Sequence, residues 1–305
     1  MRAGDGEIGL TVLADVHGNL PALEAVLADV GHHNVNDVIV AGDLVGGPRP
    51  LETIRLLRTL SSWIIQGNSD ASFVRYAQGK APSWHTSLQH ALLRWGVRQL
   101  DGETLDFLAS LPEQRVINLP GTEAIRVVHG SPHDPAESLY PDRDPAGPDA
   151  ALAQMAEPVL ICGHTHEPWV RQRGNRLALN PGSVAGPLDG YVGAQYALLK
   201  WRDSRWQAEL RTVSYDLDRI RADFEDSGLP EDGGALARAF LLGVETGQNA
   251  TESFLSHARR VATSAGFSHC TVIPDVAWRK AEQTFDWDGA TRATVARGGD
   301  NSERP

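Results

Sequence analysis

The chain has 305 residues, with 28 Lys and Arg against 39 Asp and Glu and a formal charge of −11. That acidic balance argues against bulk electrostatic binding of long nucleic acid or of an anionic membrane. Ordinary apolar content, with Gly and Pro plentiful but without a repeat, argues against a fibrous or disordered chain.

Strand-like and helical patterns alternate through the first two hundred residues. "EIGLTVLAD" reads as a strand ending at Asp15, and "LPALEAVLADVGHH" as a helix with Asn19 as N-cap and Pro21 in its first turn. "DVIVAGD" is the next strand, "RPLETIRLLRTL" the next helix, and "SSWIIQGNSD" a third strand with its exit loop. This alternation implies βαβ units and a mostly parallel central sheet. Residues 84–110 read as one or two helices closed by Leu111-Pro112, then "QRVINLP" and "EAIRVVHGSP" as paired strands. Pro132 to Pro148 is rich in Pro and Asp and reads as a long surface loop, of a length that often borders a substrate. "EPVLICGH" is another strand. Residues 168–184 read as a hairpin turning at Gly174-Asn175, and residues 194–216 as a second hairpin turning near Asp203-Ser204.

Three helical stretches follow between Asp216 and Gly266. The expected organisation is a catalytic domain over residues 1–215, a helical C-terminal extension packed on it over 216–267, and a tail over 268–305. The last ten residues of that tail are expected to be disordered. Cys162 and Cys270 stand far apart and form no disulfide framework, which suits a reducing compartment. With no basic, apolar leader and no apolar run near the ~18 residues of a membrane span, a cytoplasmic protein is expected.

The informative residues sit where the strands end. "LADVHGN", "VAGDLVG", "IIQGNSD", "VVHGSP" and "ICGHTH" each run from an apolar strand into Asp, His or Asn beside a glycine. Active crevices of open α/β sheets lie outside the carboxyl ends of the strands. Asp15, His17, Asp43, Asn68, His129, His164 and His166 are therefore expected to converge. His164 and His166, like Asp15 and His17, stand two apart and can reach to one side of an extended backbone. Oxygen and imidazole donors without a thiolate suit Mn²⁺, Fe, Zn²⁺ or Co²⁺. Singly, each motif has a plainer account: a turn for "DVHG", a helix cap for "GD", solvent-facing histidines for "GHTH". Their joint occurrence, always at strand ends, favours a metal site.

Together the motifs "DVHG" (15–18), "GDLVG" (42–46), "GNSD" (67–70), "VVHG" (127–130) and "GHTH" (163–166) resemble those of the calcineurin-like metallophosphoesterases, in the branch of small bacterial phosphodiesterases. "LNPGSV" (179–184) is similar to the segment that follows them in that family. The resemblance covers roughly residues 7–215. It implies an α/β fold in four layers, α-β-β-α, with two facing mixed sheets flanked by helices. It also implies a centre for two divalent transition-metal ions, Mn²⁺ first, with Fe, Zn²⁺, Co²⁺ or Ni²⁺ as alternatives. Carried over by motif, one metal takes Asp15, His17, Asp43 and His166, and the other takes Asp43, Asn68, His129 and His164. A metal-bridging hydroxide would then attack phosphorus in a small phosphodiester or nucleotide. Asn68 and His129 are also expected at the reacting phosphate, with Asp70 of "GNSD" as a further catalytic candidate.

One departure stands out. Where many family members carry a histidine after Gly-Asn, this chain has Ser69, a poor general acid near neutral pH. Either the leaving group needs little protonation, or His133 in "HGSPHDP" supplies the proton. Alternative activities are a phosphomonoesterase, including a protein phosphatase, and a dinucleoside polyphosphate hydrolase. Ser69 and the lack of long Arg-bearing insertions speak against the protein phosphatase, and the intact ligand set speaks against a metal-free binding scaffold. The expected partner is a small phosphorylated substrate, a nucleotide among the options, with a homo-oligomer left open. Plainer readings cover the rest: His32 and His33 at a helix end, His85 and His90 packed with Trp84 and Trp95 on a helix that could also wall the cleft, His257 and His269 on the surface. Arg49, Arg75 and Arg143 are weak candidates for a second phosphate, and Cys162 reads as a small buried hydrophobe.

Overall fold

In the computed structural model, which describes residues 8–292 except 34, 36, 61, 145 and 269, strand β1 (Gly9–Leu13) is covered on both faces. Leu10 and Val12 join one apolar cluster and Leu13 another, so the strand reads as a nearly continuous apolar run. Helix α1 (Leu20–Val30) follows, its first turn closed by Asn19, whose Oδ1 accepts from the Ala22 N–H at 3.1 Å. The βα alternation continues through β2 (Asp37–Val40), α2 (Pro50–Thr59), β3 (Ser62–Ile64) and α3 (Asn68–Ala77). Two single turns of 3₁₀ helix, Pro82–His85 and Leu88–His90, lead into α4 (Ala91–Arg98) and α5 (Gly102–Ser110), the latter capped by Asp101.

Next come β4 (Gln114–Ile117), β5 (Ile125–Val128), α6 (Ala146–Ala153), β6 (Val159–Ile161), β7 (Trp169–Arg173) and β8 (Arg176–Asn180). Part of the expected loop is thus helical: α6 accepts Pro148 in its first turn, where no N–H is needed. β9 (Ala194–Arg202) and β10 (Arg205–Val213) form the second hairpin. Its turn residues Asp203 and Ser204 have φ of 50° and 59°, the left-handed pair that a two-residue loop demands.

These strands make two five-stranded mixed sheets, β10-β9-β1-β2-β3 and β4-β5-β6-β8-β7. A single, mostly parallel sheet, the expectation from alternation alone, is therefore corrected. β1, β2 and β3 run parallel, as do β5, β6 and β8, but each sheet closes on antiparallel hairpin strands. The sheets face each other across Val12, Ile39 and Ile65 on one side and Val127, Ile161 and Leu179 on the other. Helices α1, α2, α3 and α5 cover the outer face of the first sheet through residues such as Leu23, Ile54, Leu57 and Phe73. On the outer face of the second, α6 packs over Leu160, Cys162 and Ala178. This is the four-layer α-β-β-α sandwich.

The C-terminal part comprises α7 (Leu217–Ser227), α8 (Leu229–Thr246), α9 (Ala250–Ser264), α10 (Asp275–Thr284) and α11 (Trp287–Arg292). The last two lie where a tail was expected. Short and locally unremarkable, they are held by packing: Phe254 of α9 meets the rings of Trp278, Phe285 and Trp287 at 5.1, 5.4 and 5.3 Å. The final ten residues and His269 lie outside the described residues. No described helix is long and apolar enough to cross a membrane. Trp278 is 1% exposed, so Trp278→Ala should cost about 3–5 kcal/mol of stability, read as a lower urea midpoint. A midpoint unchanged from the parent would show that α10 contributes nothing to the fold.

Candidate metal centre and cleft

The carboxyl ends of β1, β2 and β3 in one sheet and of β5 and β6 in the other point to one place. β1 delivers Asp15 and His17, β2 delivers Asp43, β3 delivers Asn68 as the first residue of α3, β5 delivers His129, and β6 delivers His164 and His166. The loops brace one another: Asp15 N–H bonds Gly42 O at 3.1 Å, His17 N–H bonds Asp43 O at 2.9 Å, and Gly163 N–H bonds His129 O at 2.7 Å. Asp15, His17, Asp43, His164 and His166 all have left-handed backbones, with φ of 53°, 42°, 56°, 69° and 57°. Such residues cost of order 1–3 kcal/mol each and persist only where the surroundings over-determine them. Here the surroundings include the 180–186 segment. Val184 and Ala185 donate to the carbonyls of Ala14 and Asp15, both at 3.0 Å, while Ser183 Oγ also donates to Asp15 O at 2.9 Å. Asn180 Nδ2 donates to Gly163 O at 2.7 Å.

Three imidazoles are oriented in the same way. Nδ1 of His17, His129 and His166 lies 2.8, 2.7 and 2.9 Å from the carbonyls of Val45, Ala41 and Gly186. A carbonyl only accepts, so each Nδ1 carries a proton, and Nε2 is the nitrogen turned inward, with a lone pair for a cation once the ring is neutral. Those Nε2 atoms face the carboxylates. His166 is 3.3 Å from Asp15 Oδ1, His17 is 3.5 Å from Asp43 Oδ2, and His129 is 3.4 Å from Asp43 Oδ1. Nε2 of His17 and His166 are only 3.2 Å apart, and Asn68 Oδ1 is 2.9 Å from His129 Nε2. His164 joins through its backbone N–H, which donates to Asp15 Oδ2 at 3.0 Å, and its ring stands against that of His129 at 5.3 Å.

Asp15 Oδ1 is buried and has no hydrogen-bond partner. An orphaned carboxylate oxygen ringed by inward lone pairs is what a multidentate cation site requires. Two sets of donors are each close enough to share an ion: Asp15, His17 and His166, and Asp15, Asp43 and His129. Burial pushes the Asp15 and Asp43 carboxyls up, but their histidine neighbours outweigh it and hold both below the ordinary range. His129, pushed down by burial, is carried up to about 10 by Asp43 and Asp15. The carboxylate pair thus demands positive charge. Among the described residues, histidines and no Lys or Arg pair with Asp15 and Asp43.

Asp70 stands behind the site rather than in it. It is fully buried, and its oxygens accept from the backbone N–H groups of Asp43, Leu44, Val45 and Gly67 at 3.0, 2.9, 3.3 and 2.9 Å. Burial and the Asp43 charge push its carboxyl up, to about 7. The backbone donors pull the other way without cancelling that rise. Asp70 therefore shapes the loop that carries Asp43. Ser69, which sequence reasoning treated only as a missing histidine, donates Oγ–H to Asp43 Oδ2 and its backbone N–H to Asp43 Oδ1, both at 2.8 Å. Gly67 is required for that approach, since a Cβ there would lie 2.1 Å from Asp43 Oδ1.

The centre opens into a cleft of about 790 Å³. One wall comes from the 3₁₀ turns and α4, with Trp84, His90 and Leu93. The other comes from α8 and α9, with Leu236, Phe240 and Thr251, and the loop after β5 adds Ser138 and Tyr140. Phe240 of α8 meets the ring of His17 edge-on at 5.8 Å. The C-terminal helices are thus part of the cleft, a role that no local sequence signal announced. His133 is exposed and lines a depression of about 30 Å³ with Pro132, Asp134 and the candidate ligand His129. It is not among the described residues that line the cleft. His85 stacks on Tyr76, His33 pairs with Asp29, and Arg49 and Arg143 are paired with Asp223 and Glu167.

Residues 8–204 match the family model described as the calcineurin-like phosphoesterase superfamily domain. The chain belongs to that superfamily. An uncharacterised protein, MJ0912, of Methanocaldococcus jannaschii is 30% identical over 241 residues, 73% of this chain and 94% of that one. The phosphodiesterase YfcE of Escherichia coli K12 is 28% identical over 196 residues, 62% of this chain and 86% of its own. Among solved structures, a metallophosphoesterase from Sphaerobacter thermophilus aligns with a TM-score of 0.65 and 28% identity, covering 79% of this chain and all of the other. The superfamily implies divalent metal ions, and the donor set described above fits them. The matched calcineurin-like domain ends at 204, so α8 and α9, which form one wall of the cleft, lie beyond it.

Asp70→Ala would strand buried N–H groups at ~1–3 kcal/mol apiece, so a stability loss of at least about 3 kcal/mol is expected by urea unfolding. A loss under about 1 kcal/mol would mean that Asp70 does not hold the loop. His133→Ala should leave both kcat and stability within about twofold and ±0.5 kcal/mol of the parent, as for other exposed positions. A large fall in kcat would restore it as a proton donor.

Proposed function

We propose that the chain is a dinuclear metal-dependent phosphodiesterase acting on small diesters. The observation that carries this reading is the buried, unpartnered Asp15 Oδ1, faced by imidazole nitrogens whose other ring nitrogens are locked onto backbone carbonyls. Asp15, His17, Asp43 and His166 would hold one ion, and Asp43, Asn68, His129 and His164 the other. Asp43 suits a shared position because it turns Oδ2 to His17 and Oδ1 to His129. When bound, two such cations supply charge neutralisation for the phosphoryl oxygens and activation of a water, with Mn²⁺ the expected ion.

The protein's own groups then orient and select. Asn68 places a carboxamide at the mouth of the centre, where its Nδ2 can donate to a phosphoryl oxygen while its Oδ1 faces His129. Ser69 is committed to Asp43, and His90, the histidine of the cleft lining outside the candidate ligands, is stacked on Trp84 and bonded to Ser87. A leaving group that needs little protonation is therefore favoured. The 28% identity to a protein named a phosphodiesterase supports the diester reading, and the cleft volume of about 790 Å³ suits a small molecule. The composition and the lack of a spanning helix among the described residues support a cytoplasmic location.

The test compares Mn²⁺-dependent hydrolysis of bis-p-nitrophenyl phosphate and p-nitrophenyl phosphate. The diester should be preferred at least about tenfold in kcat/KM. Chelation should abolish turnover and Mn²⁺ restore it, and His164→Ala should reduce kcat by at least ~100-fold, beyond what loss of an outer partner does. A monoester preference would sink the diesterase reading; a protein that binds no stoichiometric metal would sink the metal centre itself.

A further inference from the structure

The cleft is far larger than a bare phosphodiester needs, and its chemistry away from the metal ligands is uneven. Among the described residues that line it there is no Lys and no Arg, and its only acids are Asp43 and Glu252. The guanidinium groups nearby are turned elsewhere. Arg75 lies over Trp84 at 5.6 Å, Arg143 over Tyr140 at 4.0 Å and on Glu167 at 2.6 Å, and Arg94 donates to the carbonyls of Trp84 and Ser87. What the cleft offers instead is ring, aliphatic and uncharged polar surface. Trp84 and His90 stack nearly parallel at 4.7 Å and 12° on one wall, and Leu236, Phe240 and Gln248 stand on the other. His90 is kept in place by Ser87 Oγ at 2.7 Å.

A second phosphate entering this space would find no cation and would face Glu252, in a protein whose net charge is −11. Burying an unpaired charge is costly, whereas burying a ring is favourable. We propose that the cleft selects phosphodiesters of a single negative charge whose retained alcohol is an uncharged, ring-bearing group seated between the Trp84–His90 wall and the α8–α9 wall. Polyphosphates and phosphorylated esters are disfavoured for want of a cation. This inference rests on the diesterase reading and adds the substrate class. In the reaction, a water oxygen joins phosphorus and the P–O bond to the leaving alcohol breaks with its electron pair on that oxygen. The displaced water protons pass to the leaving alcohol or to solvent, and the ring-bearing alcohol stays as a monoester.

Three 4-nitrophenyl diesters with the same leaving group separate size from charge: the methyl ester, the thymidine 5′-ester, and the thymidine 5′-ester carrying a 3′-phosphate. The thymidine ester should exceed the methyl ester by at least about tenfold in kcat/KM, and the 3′-phosphate should lower it by at least about tenfold. Gln248→Lys should narrow that second gap by about fivefold or more, because it adds the missing cation. Equal turnover of the methyl and thymidine esters, or no penalty for the 3′-phosphate, would overturn the inference. Calorimetric titration with thymidine and with thymidine 3′-phosphate, with inorganic phosphate saturating the metal centre, reads the pocket without turnover. Tighter binding of the uncharged nucleoside supports the inference and the reverse order overturns it. If none of the three esters is hydrolysed while the metal-loaded protein still prefers thymidine, the diesterase reading falls and the pocket's selectivity stands.

Discussion

Two buried carboxylates set the terms for this protein. Asp15 and Asp43 lie at the meeting point of two sheets, almost out of solvent, with histidines as the only basic side chains paired to them among the described residues. Carboxylates so placed are stable only with positive charge beside them. Everything around them serves to hold that arrangement until such charge arrives: inward Nε2 atoms, Nδ1 protons fixed on backbone carbonyls, and loops crossed by hydrogen bonds from the other sheet. The arrangement is strained. Five of the candidate ligands hold left-handed backbones, and the sandwich core of Val12, Ile39, Val127 and Ile161 gives the rigidity that keeps them there.

The groups that position the centre matter as much as those that face it. Asp70 gathers the N–H groups of the Asp43 loop, Ser69 fixes both Asp43 oxygens, and Ser183 and Asn180 tie the β1 and β6 loops from beneath. Outer partners of this kind govern how well a metal is held. They also explain the serine that replaces an expected histidine: its hydroxyl is committed to a carboxylate rather than presented to a leaving group.

The candidate ligands and the walls of the cleft come from different parts of the chain only in part. The sheets bring the charged centre together, and the family match at residues 8–204 covers them. α8 and α9, beyond that match, supply one wall of the cleft, opposite the Trp84 and His90 wall that lies within it. Phe240 joins the two parts, packed on Phe224 of α7 at 5.7 Å and on His17 at 5.8 Å. A helical addition to a metal centre can thus set which molecules reach it without altering the ligands.

The sequence by itself determined the strand ends and what they carry, because an apolar run, a glycine and a ligand residue are local features. It determined both hairpin turns for the same reason, since Gly174 and the Asp203–Ser204 pair carry their backbone preference with them. Alternation alone left the division into two sheets open, because it fixes neighbours along the chain and not which strands pair across it. The resemblance of the motifs implied that division, and the strand pairing bears it out. Only the tertiary structure showed Asp70 and Ser69 as supports, His133 outside the lining of the cleft, and helices over 275–284 and 287–292. Those roles depend on what packs against each residue from tens or hundreds of positions away. Burial, not local propensity, turned two tryptophan-bearing segments into structure and made a helical extension into the wall of a cleft.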